Sequence, residues 1–151
     1  MAAIHIRRAS TAESDSVRAL IQAVADETFA YMWGPAHVPI GDDDWSLAWV
    51  AISDAQILGT PKIVGATMTR EDFVTNLWVL REYRRQGTGQ KLLTQAASEI
   101  ASRGYSKLRL RVVKSNIVAV NFYCGQGWQV AREFRHEKFG HPMYELSKVI
   151  E

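Results

Sequence analysis

Between Leu77 and Leu93 the chain runs from an apolar, β-prone segment into paired arginines, two glycines one residue apart and an amphipathic helix start. The order is Leu77-Trp78-Val79-Leu80-Arg81-Glu82-Tyr83-Arg84-Arg85-Gln86-Gly87-Thr88-Gly89-Gln90-Lys91-Leu92-Leu93. It predicts a strand that turns directly into a helix. Gly87 and Gly89 remove the Cβ atoms that would hold a bulky group away from the backbone. The first N–H groups of a helix lack intrahelical acceptors and stand at the positive end of its dipole, so a phosphate can accept several hydrogen bonds there. Arg84, Arg85 and Lys91 add full charges and Thr88 a hydroxyl. The pattern is not that of a P-loop, which needs four residues between its glycines. A dinucleotide fingerprint would place its third glycine where Leu92 stands. Taken alone, the stretch fits an anion cradle and a plain strand-turn-helix connection with solvated arginines about equally well.

A second segment separates these two readings. It consists of Leu108-Arg109-Leu110-Arg111-Val112-Val113, followed by Asn116-x-x-Ala119-x-x-Phe122-Tyr123-x-x-x-Gly127-Trp128. Arg84-x-x-Gly87-x-Gly89 resembles the acyl-CoA pyrophosphate loop of the GCN5-related N-acetyltransferase (GNAT) family. The later segment resembles that family's strand, Asn-x-x-Ala helix and Tyr-x-x-x-Gly-aromatic turn. Together the two motifs cover residues from about Phe73 to Trp128.

The resemblance implies one GNAT domain over residues 1–151, an α/β (α+β) fold. Its mixed, mostly antiparallel central sheet has about seven strands flanked by helices, with two splayed parallel strands at the cofactor cleft. It implies acetyl-CoA as cosubstrate, no metal, and transfer of an acetyl group to a primary amine by direct attack. The cofactor-binding residues that follow are Arg84, Arg85, Gln86, Gly87, Thr88, Gly89 and Gln90 for the diphosphate. Leu77, Trp78 and Val79 would meet the pantetheine arm through their peptide groups, and a backbone N–H among them would stabilise the thioester oxyanion. Tyr123 matches the family's general acid, which protonates the departing thiolate. Asn116 and Asn121 match positions that contact pantetheine or diphosphate. Asn116 equally fits the cap of the helix that follows it.

The chain has 151 residues, a length suited to one domain with a real core. Hydrophobic content of 47% and charged content of 23% describe a soluble globular protein. A formal charge of +2 is too small to argue for nucleic acid. The basic residues are nonetheless concentrated, at Arg81, Arg84 and Arg85 and again at Arg103, Lys107, Arg109 and Arg111, which suits a phosphate-rich ligand better than a duplex. One cysteine, Cys124, allows no intrachain disulfide. With no signal-like or membrane-length apolar run, the expectation is a cytoplasmic protein without membrane or nucleic-acid partners, with a homodimer as an option.

Along the chain, Ile4-His5-Ile6-Arg7-Arg8 alternates as a strand. Ser10 or Thr11 can cap a helix that buries Val17, Leu20, Ile21, Val24 and Phe29 and runs to about Ala30. Residues 31–44 read as loop, with room for one helical turn. Strands follow at Ser46–Ile52 and Lys62–Met68, joined across the turn residues around Gly59 and Pro61, and then at Phe73–Leu80. A helix from about Gly89 to Arg103 is stopped at Gly104. A strand over Lys107–Val113, a short helix over Ile117–Gly125, and an antiparallel pair over Trp128–Phe134 and Pro142–Leu146 complete the order.

Many family members carry a basic carboxylate on the strand before the cradle, where this chain has Thr75 and Asn76. Glu71 and Asp72 could act from just upstream through water, or could be solvated turn charges; His37 is another candidate base. The loop bearing Tyr31, Met32, Trp33, His37, Asp42, Asp43, Asp44 and Trp45 would suit a small cationic amine. Its aspartates equally fit exposed turns or helix caps. His5, His136 and His141 show no metal-ligand spacing with Cys124, which reads as a small packed residue. Two other function classes stay open, a CoA-binding regulatory or sensor module without turnover, favoured by Thr75, and a basic nucleic-acid-binding domain.

Overall fold

The computed structural model of the protein describes residues 3–57 and 60–150. Its strands are β1 (Ile4–Arg8), β2 (Trp49–Ile57), β3 (Thr60–Arg70), β4 (Phe73–Val79), β5 (Lys107–Val113), β6 (Gln129–Arg135) and β7 (Pro142–Val149). They form one seven-stranded sheet in the order β1-β2-β3-β4-β5-β7-β6. Pairing is antiparallel for β1 with β2, β2 with β3, β5 with β7 and β6 with β7, and parallel for β4 with β5. The helices are α1 (Ser14–Thr28), the single turn α2 (Ala30–Trp33), α3 (Thr88–Ser102) and α4 (Ile117–Gly125). This is the mixed, mostly antiparallel architecture that the resemblance implied. The chain divides into two compact units, Met1–Met68 with Asn76–Ala96, and Thr69–Thr75 with Ala97–Glu151.

In the first unit a 3-10 turn over Thr11–Glu13 leads into α1. The Ser10 N–H donates to Glu13 Oε1 at 2.8 Å, and Arg7 donates to both Glu13 oxygens at 2.7 and 2.9 Å. These bonds satisfy a helix-end donor and neutralise the carboxylate that accepts from it. α1 then buries Val17, Leu20, Ile21 and Val24 against Trp45, Ala48, Val50, Ile52, Ala66 and Met68. Fully burying an aliphatic side chain contributes about 1.5–3 kcal/mol, so this stripe is what holds the helix to the strands. The helix ends at Thr28, earlier than its periodicity implies, and the extra turn lies in α2, closed by Gly34 at φ 59°.

Several strand boundaries differ from the sequence reading: β2 runs on to Ile57, β3 to Arg70 and β7 to Val149, beyond the expected Ile52, Met68 and Leu146. β2 begins at Trp49 rather than Ser46, because Asp44 Oδ1 accepts from the Ser46 N–H and hydroxyl and folds Trp45–Leu47 into a 3-10 turn. β3 begins at Thr60, so Pro61 lies within the strand, while Gly59 lies outside the described residues. On the face opposite α1, Ala51 and Val64 pack on Leu92 of α3. Gly65 makes this approach possible, since a Cβ there would sit 3.0 Å from both the Leu92 Cδ1 and the Trp78 carbonyl oxygen.

In the second unit, β5 alternates buried Leu108, Leu110 and Val112 with Arg109 and Arg111. Leu146 of β7, opposite Leu110, is fully buried. β6 is almost wholly exposed and carries Arg132, Glu133 and Arg135, charges that discourage a further strand from adding at a sheet edge. Arg132 and Arg111 stack on Phe134 at 4.4 and 4.5 Å, and Arg109 stacks on Phe73 at 4.2 Å.

Two outcomes check this packing. Gly65→Val places carbon against a backbone carbonyl that cannot turn aside, and should lower stability by about 1–3 kcal/mol in thermal or urea unfolding. The Glu13 carboxyl, held by Arg7 at about 2 against an ordinary 4.5, contributes stability that is full above about pH 4.5 and lost as pH falls toward 2. Glu13→Gln should therefore cost about 1 kcal/mol at pH 7 and almost nothing near pH 2.

Candidate active site

In the first unit β4 is followed by a 3-10 turn, Arg81–Tyr83, that the sequence reading did not anticipate. The Leu80 N–H donates to the Val64 carbonyl at 2.9 Å and fixes where the strand ends. Arg85 at φ 61° and Gly87 at φ 81° then reverse the chain into α3. A Cβ on Gly87 would meet nothing within 4 Å, so within the protein this glycine is required by conformation rather than by space. Arg85 has no such freedom, and its left-handed backbone stores about 1–2 kcal/mol.

The first bond of the α3 ladder runs from the Lys91 N–H to the Gly87 carbonyl at 3.0 Å. The N–H groups of Thr88, Gly89 and Gln90 therefore precede the ladder, at the positive end of the helix dipole. Thr88 is 1% exposed, and its Oγ1 is buried with no hydrogen-bond partner among the described residues. Leaving such a group unsatisfied costs about 1–3 kcal/mol, so this hydroxyl at an anion-favouring helix start is a candidate contact for a ligand. The flanking side chains serve partly to hold the loop. Arg84 Nε donates to the Val79 carbonyl at 3.1 Å and Gln86 Nε2 to the Glu82 carbonyl at 3.0 Å. Arg84, Arg85 and Gln86 remain exposed.

β4 upstream of the cradle is anchored through its backbone and indole. The Asn76 carbonyl accepts from Thr67 Oγ1 at 2.7 Å, and Trp78 Nε1 donates to Asn76 Oδ1 at 2.9 Å. Leu77 and Val79 lie half-buried beside the core around Leu92. The substrate-loop residues are partly absorbed by structure. Trp45 is 4% exposed and belongs to the core, Asp44 caps its 3-10 turn, and His37 Nδ1 lies 2.6 Å from Asp26 Oδ2. Asp26 also accepts from the Val38 N–H and from Gln22, which holds its carboxyl below the usual range. Asp42 and Tyr31 are exposed.

In the second unit Asn116 Oδ1 accepts from the Ala119 N–H at 3.4 Å, so it caps α4. Tyr123, on the last turn of α4, is buried edge-to-face between Phe122 and Trp128 at 5.4 and 5.8 Å. Gly127 at φ 92° folds the chain back so that the Trp128 N–H donates to the Tyr123 carbonyl at 3.1 Å. That is the physical content of the Tyr-x-x-x-Gly-aromatic spacing. Burial pushes the phenol's pKa well above its ordinary value, which keeps it a donor at any physiological pH. Asn121 is exposed, and so is Cys124, which corrects the expectation of a packed thiol.

The same unit holds an open cleft of about 410 Å³, lined by Arg70, Glu71, Thr75, Arg111, His136 and Met143 among others. Asp72, in the turn between β3 and β4, is committed to Arg109 through bonds of 2.7 and 3.0 Å, which hold its carboxyl below the usual range. It is thereby a poor base. Glu71 has the left-handed φ of 55°, and its carbonyl is clamped by Arg103 Nη1 at 2.8 Å. In the sequence Arg111 stands out only as part of a basic cluster, and His136 only as one of several histidines without metal-ligand spacing. Their meeting at this cleft depends on strand register, which no local motif encodes. Among the described residues, no group of three or more His, Cys, Asp or Glu side chains could hold a metal ion.

Against known proteins, residues 18–128 match the model of the acetyltransferase (GNAT) family. The chain belongs to that family. It is 33% identical over 63 residues to an L-ornithine N5-acetyltransferase of Arabidopsis thaliana, a match covering 42% of this chain and 28% of the relative. It is 34% identical over 84 residues to a thialysine N-epsilon-acetyltransferase of Mus musculus, covering 52% of this chain and 48% of the relative. The chain thus spans less than half the length of either. Its fold matches a PaiA N-acetyltransferase of Thermoplasma acidophilum solved with coenzyme A, at TM-score 0.71 and 16% identity over 98% of this chain and 99% of that one. The domain is of N-acetyltransferase type, for which acetyl-CoA is the cosubstrate, and the Thr88 hydroxyl with the α3 amides that precede the ladder could receive its diphosphate. No described helix is long and apolar enough to cross a membrane.

Thr88→Val tests that fit in this GNAT chain. Replacing an unsatisfied hydroxyl by a methyl of the same shape should leave the melting temperature equal or higher. Coenzyme A affinity by calorimetry should fall several-fold, and an unchanged affinity would remove the hydroxyl from the cradle.

Proposed function

We propose that residues 1–151 form an acetyl-CoA-dependent N-acetyltransferase that passes the acetyl group directly to the primary amine of a small, cationic acceptor. The observation that carries this reading is the cradle: three unladdered amides, a left-handed Gly87 and an idle buried hydroxyl on Thr88. Arg84, Arg85, Gln86, Gly89 and Gln90 complete it. The peptide groups of Leu77, Trp78 and Val79 serve the pantetheine arm, and Asn121 stands with the capping Asn116 at the motif positions for cofactor contact. Both curated relatives are named for acetylating an amine on the side chain of an amino acid, which supports a small acceptor.

Tyr123 is the proton donor in this reading. A free thiol has a pKa of about 8.5, so full transfer from a phenol above its ordinary value of about 10 is uphill in water. In a dry site the thiolate is desolvated as well and its basicity rises with it, so a short hydrogen bond from the phenol stabilises the charge as it develops. Tyr123→Phe should lower kcat by about 100-fold with coenzyme A affinity retained. An unchanged rate would dismiss the role.

A sensor module without turnover is the second reading. It is favoured by the exposed Thr75 and the committed Asp72, which leave β4 without a basic carboxylate. Thiol release over a panel of amines decides between them, since a sensor binds acetyl-CoA and releases none.

A further inference from the structure

The cleft between the β3–β4 turn and the β6–β7 hairpin gathers groups of both charges in one unit. Arg111 donates end-on to Glu137, Nη1 to Oε1 at 3.1 Å and Nη2 to Oε2 at 2.5 Å. A guanidinium carries five N–H donors, so this pair leaves three, including the side edge formed by Nε–H and an Nη–H. That edge is itself a fork for a second carboxylate. Phe134 lies beneath the guanidinium, its ring centroid 4.5 Å from Cζ.

His136 adds a donor of defined position. Its Nδ1 accepts from the Lys138 and Phe139 N–H groups at 3.1 and 3.2 Å, so the neutral ring carries its proton on Nε2. A ring so held offers N–H rather than a lone pair, which suits anion recognition and not base catalysis. Thr75 offers a hydroxyl, and Arg70 a second cation at the same wall.

Opposite in charge stands Glu71, exposed at the cleft, its carboxylate in electrostatic reach of the Arg109 guanidinium that Asp72 already holds. Its backbone has a left-handed φ of 55°, which places the carboxylate on a strained turn. Arg103 pins the turn in place.

We propose that this cleft receives the charged head of the acceptor. A carboxylate binds the free edge of Arg111 and the His136 Nε2–H, and an ammonium meets Glu71. The acceptor class is then a free amino acid carrying a second amine, not a simple diamine. A volume of about 410 Å³ suits such a molecule and lies in the ordinary range of small-ligand sites. The inference rests on the N-acetyltransferase reading above. Glu137, 66% exposed, competes electrostatically with the incoming carboxylate, which makes it a tuning residue.

Thiol release from acetyl-CoA is measured with L-lysine and cadaverine, and with L-ornithine and putrescine, pairs that differ only in the carboxylate. The wild type should show at least a tenfold higher kcat/KM for each amino acid, equivalent to about 1.4 kcal/mol. Arg111→Gln should erase most of that preference through KM, Glu137→Gln should lower KM for the amino acids, and Glu71→Gln should raise it. Coenzyme A affinity by calorimetry verifies that each variant is folded. Equal use of diamine and amino acid, or an Arg111→Gln variant that keeps the preference, overturns the cleft and leaves the transferase standing. Acetyl-CoA binding with no thiol release from any of the four amines overturns both.

Discussion

The turn from β4 into α3 depends on one backbone conformation, Gly87 at φ 81°, and on one close contact, Gly65 beneath Leu92 and the Trp78 carbonyl. The first reverses the chain within a few residues of the strand, and the second lets the helix settle on the sheet. With Leu92 buried against Ala51 and Val64, the start of α3 is held in place on the sheet, and the amides that precede its ladder are held with it. A loop this short cannot also satisfy those amides itself. The Thr88 hydroxyl, without a hydrogen-bond partner among the described residues, and the strained Arg85 lie at the same turn, where local stability is given up.

The second unit uses charge differently. Most of its arginines are consumed by the fold, Arg109 by Asp72 and Phe73, Arg132 by Glu145 and Phe134, and Arg103 by Glu99, Thr69 and the Glu71 carbonyl. A basic cluster in sequence is therefore not a basic patch in space. What is left over is informative: the free edge of Arg111, the Nε2–H of His136 and the carboxylate of Glu71. Stacking on Phe134 places the Arg111 guanidinium, and the two N–H groups received at Nδ1 place the His136 ring.

Elements were most legible where one periodicity ran without interruption. β5 and α4 have the bounds read from the residues, Lys107–Val113 and Ile117–Gly125, and the α1 stripe of Val17, Leu20, Ile21 and Val24 is buried. Misreadings fell where a side chain competes with the backbone or where a turn is too short to have a period. Asp44 drew Trp45–Leu47 out of the strand and into a 3-10 turn, and α1 gave way to a separate turn after Thr28. Trp45 stands in a loop-like stretch of sequence, yet it lies in the core with the α1 stripe of Val17, Leu20, Ile21 and Val24.

By itself the sequence determined the strand-turn-helix at Gly87, the short helix that carries Tyr123 and the family, because each is a short motif in which neighbours along the chain are neighbours in space. Its glycines, its cap at Asn116 and its aromatic turn act over a few residues, and local stereochemistry is enough to specify them. Only the tertiary structure decided which charges remain available. Asp72 is committed and Glu71 is not, and Arg111 stands at one cleft with Glu71 and His136. These facts depend on strand register and on ion pairs between residues tens of positions apart, where energies of about 1 kcal/mol choose among partners that look alike in one dimension.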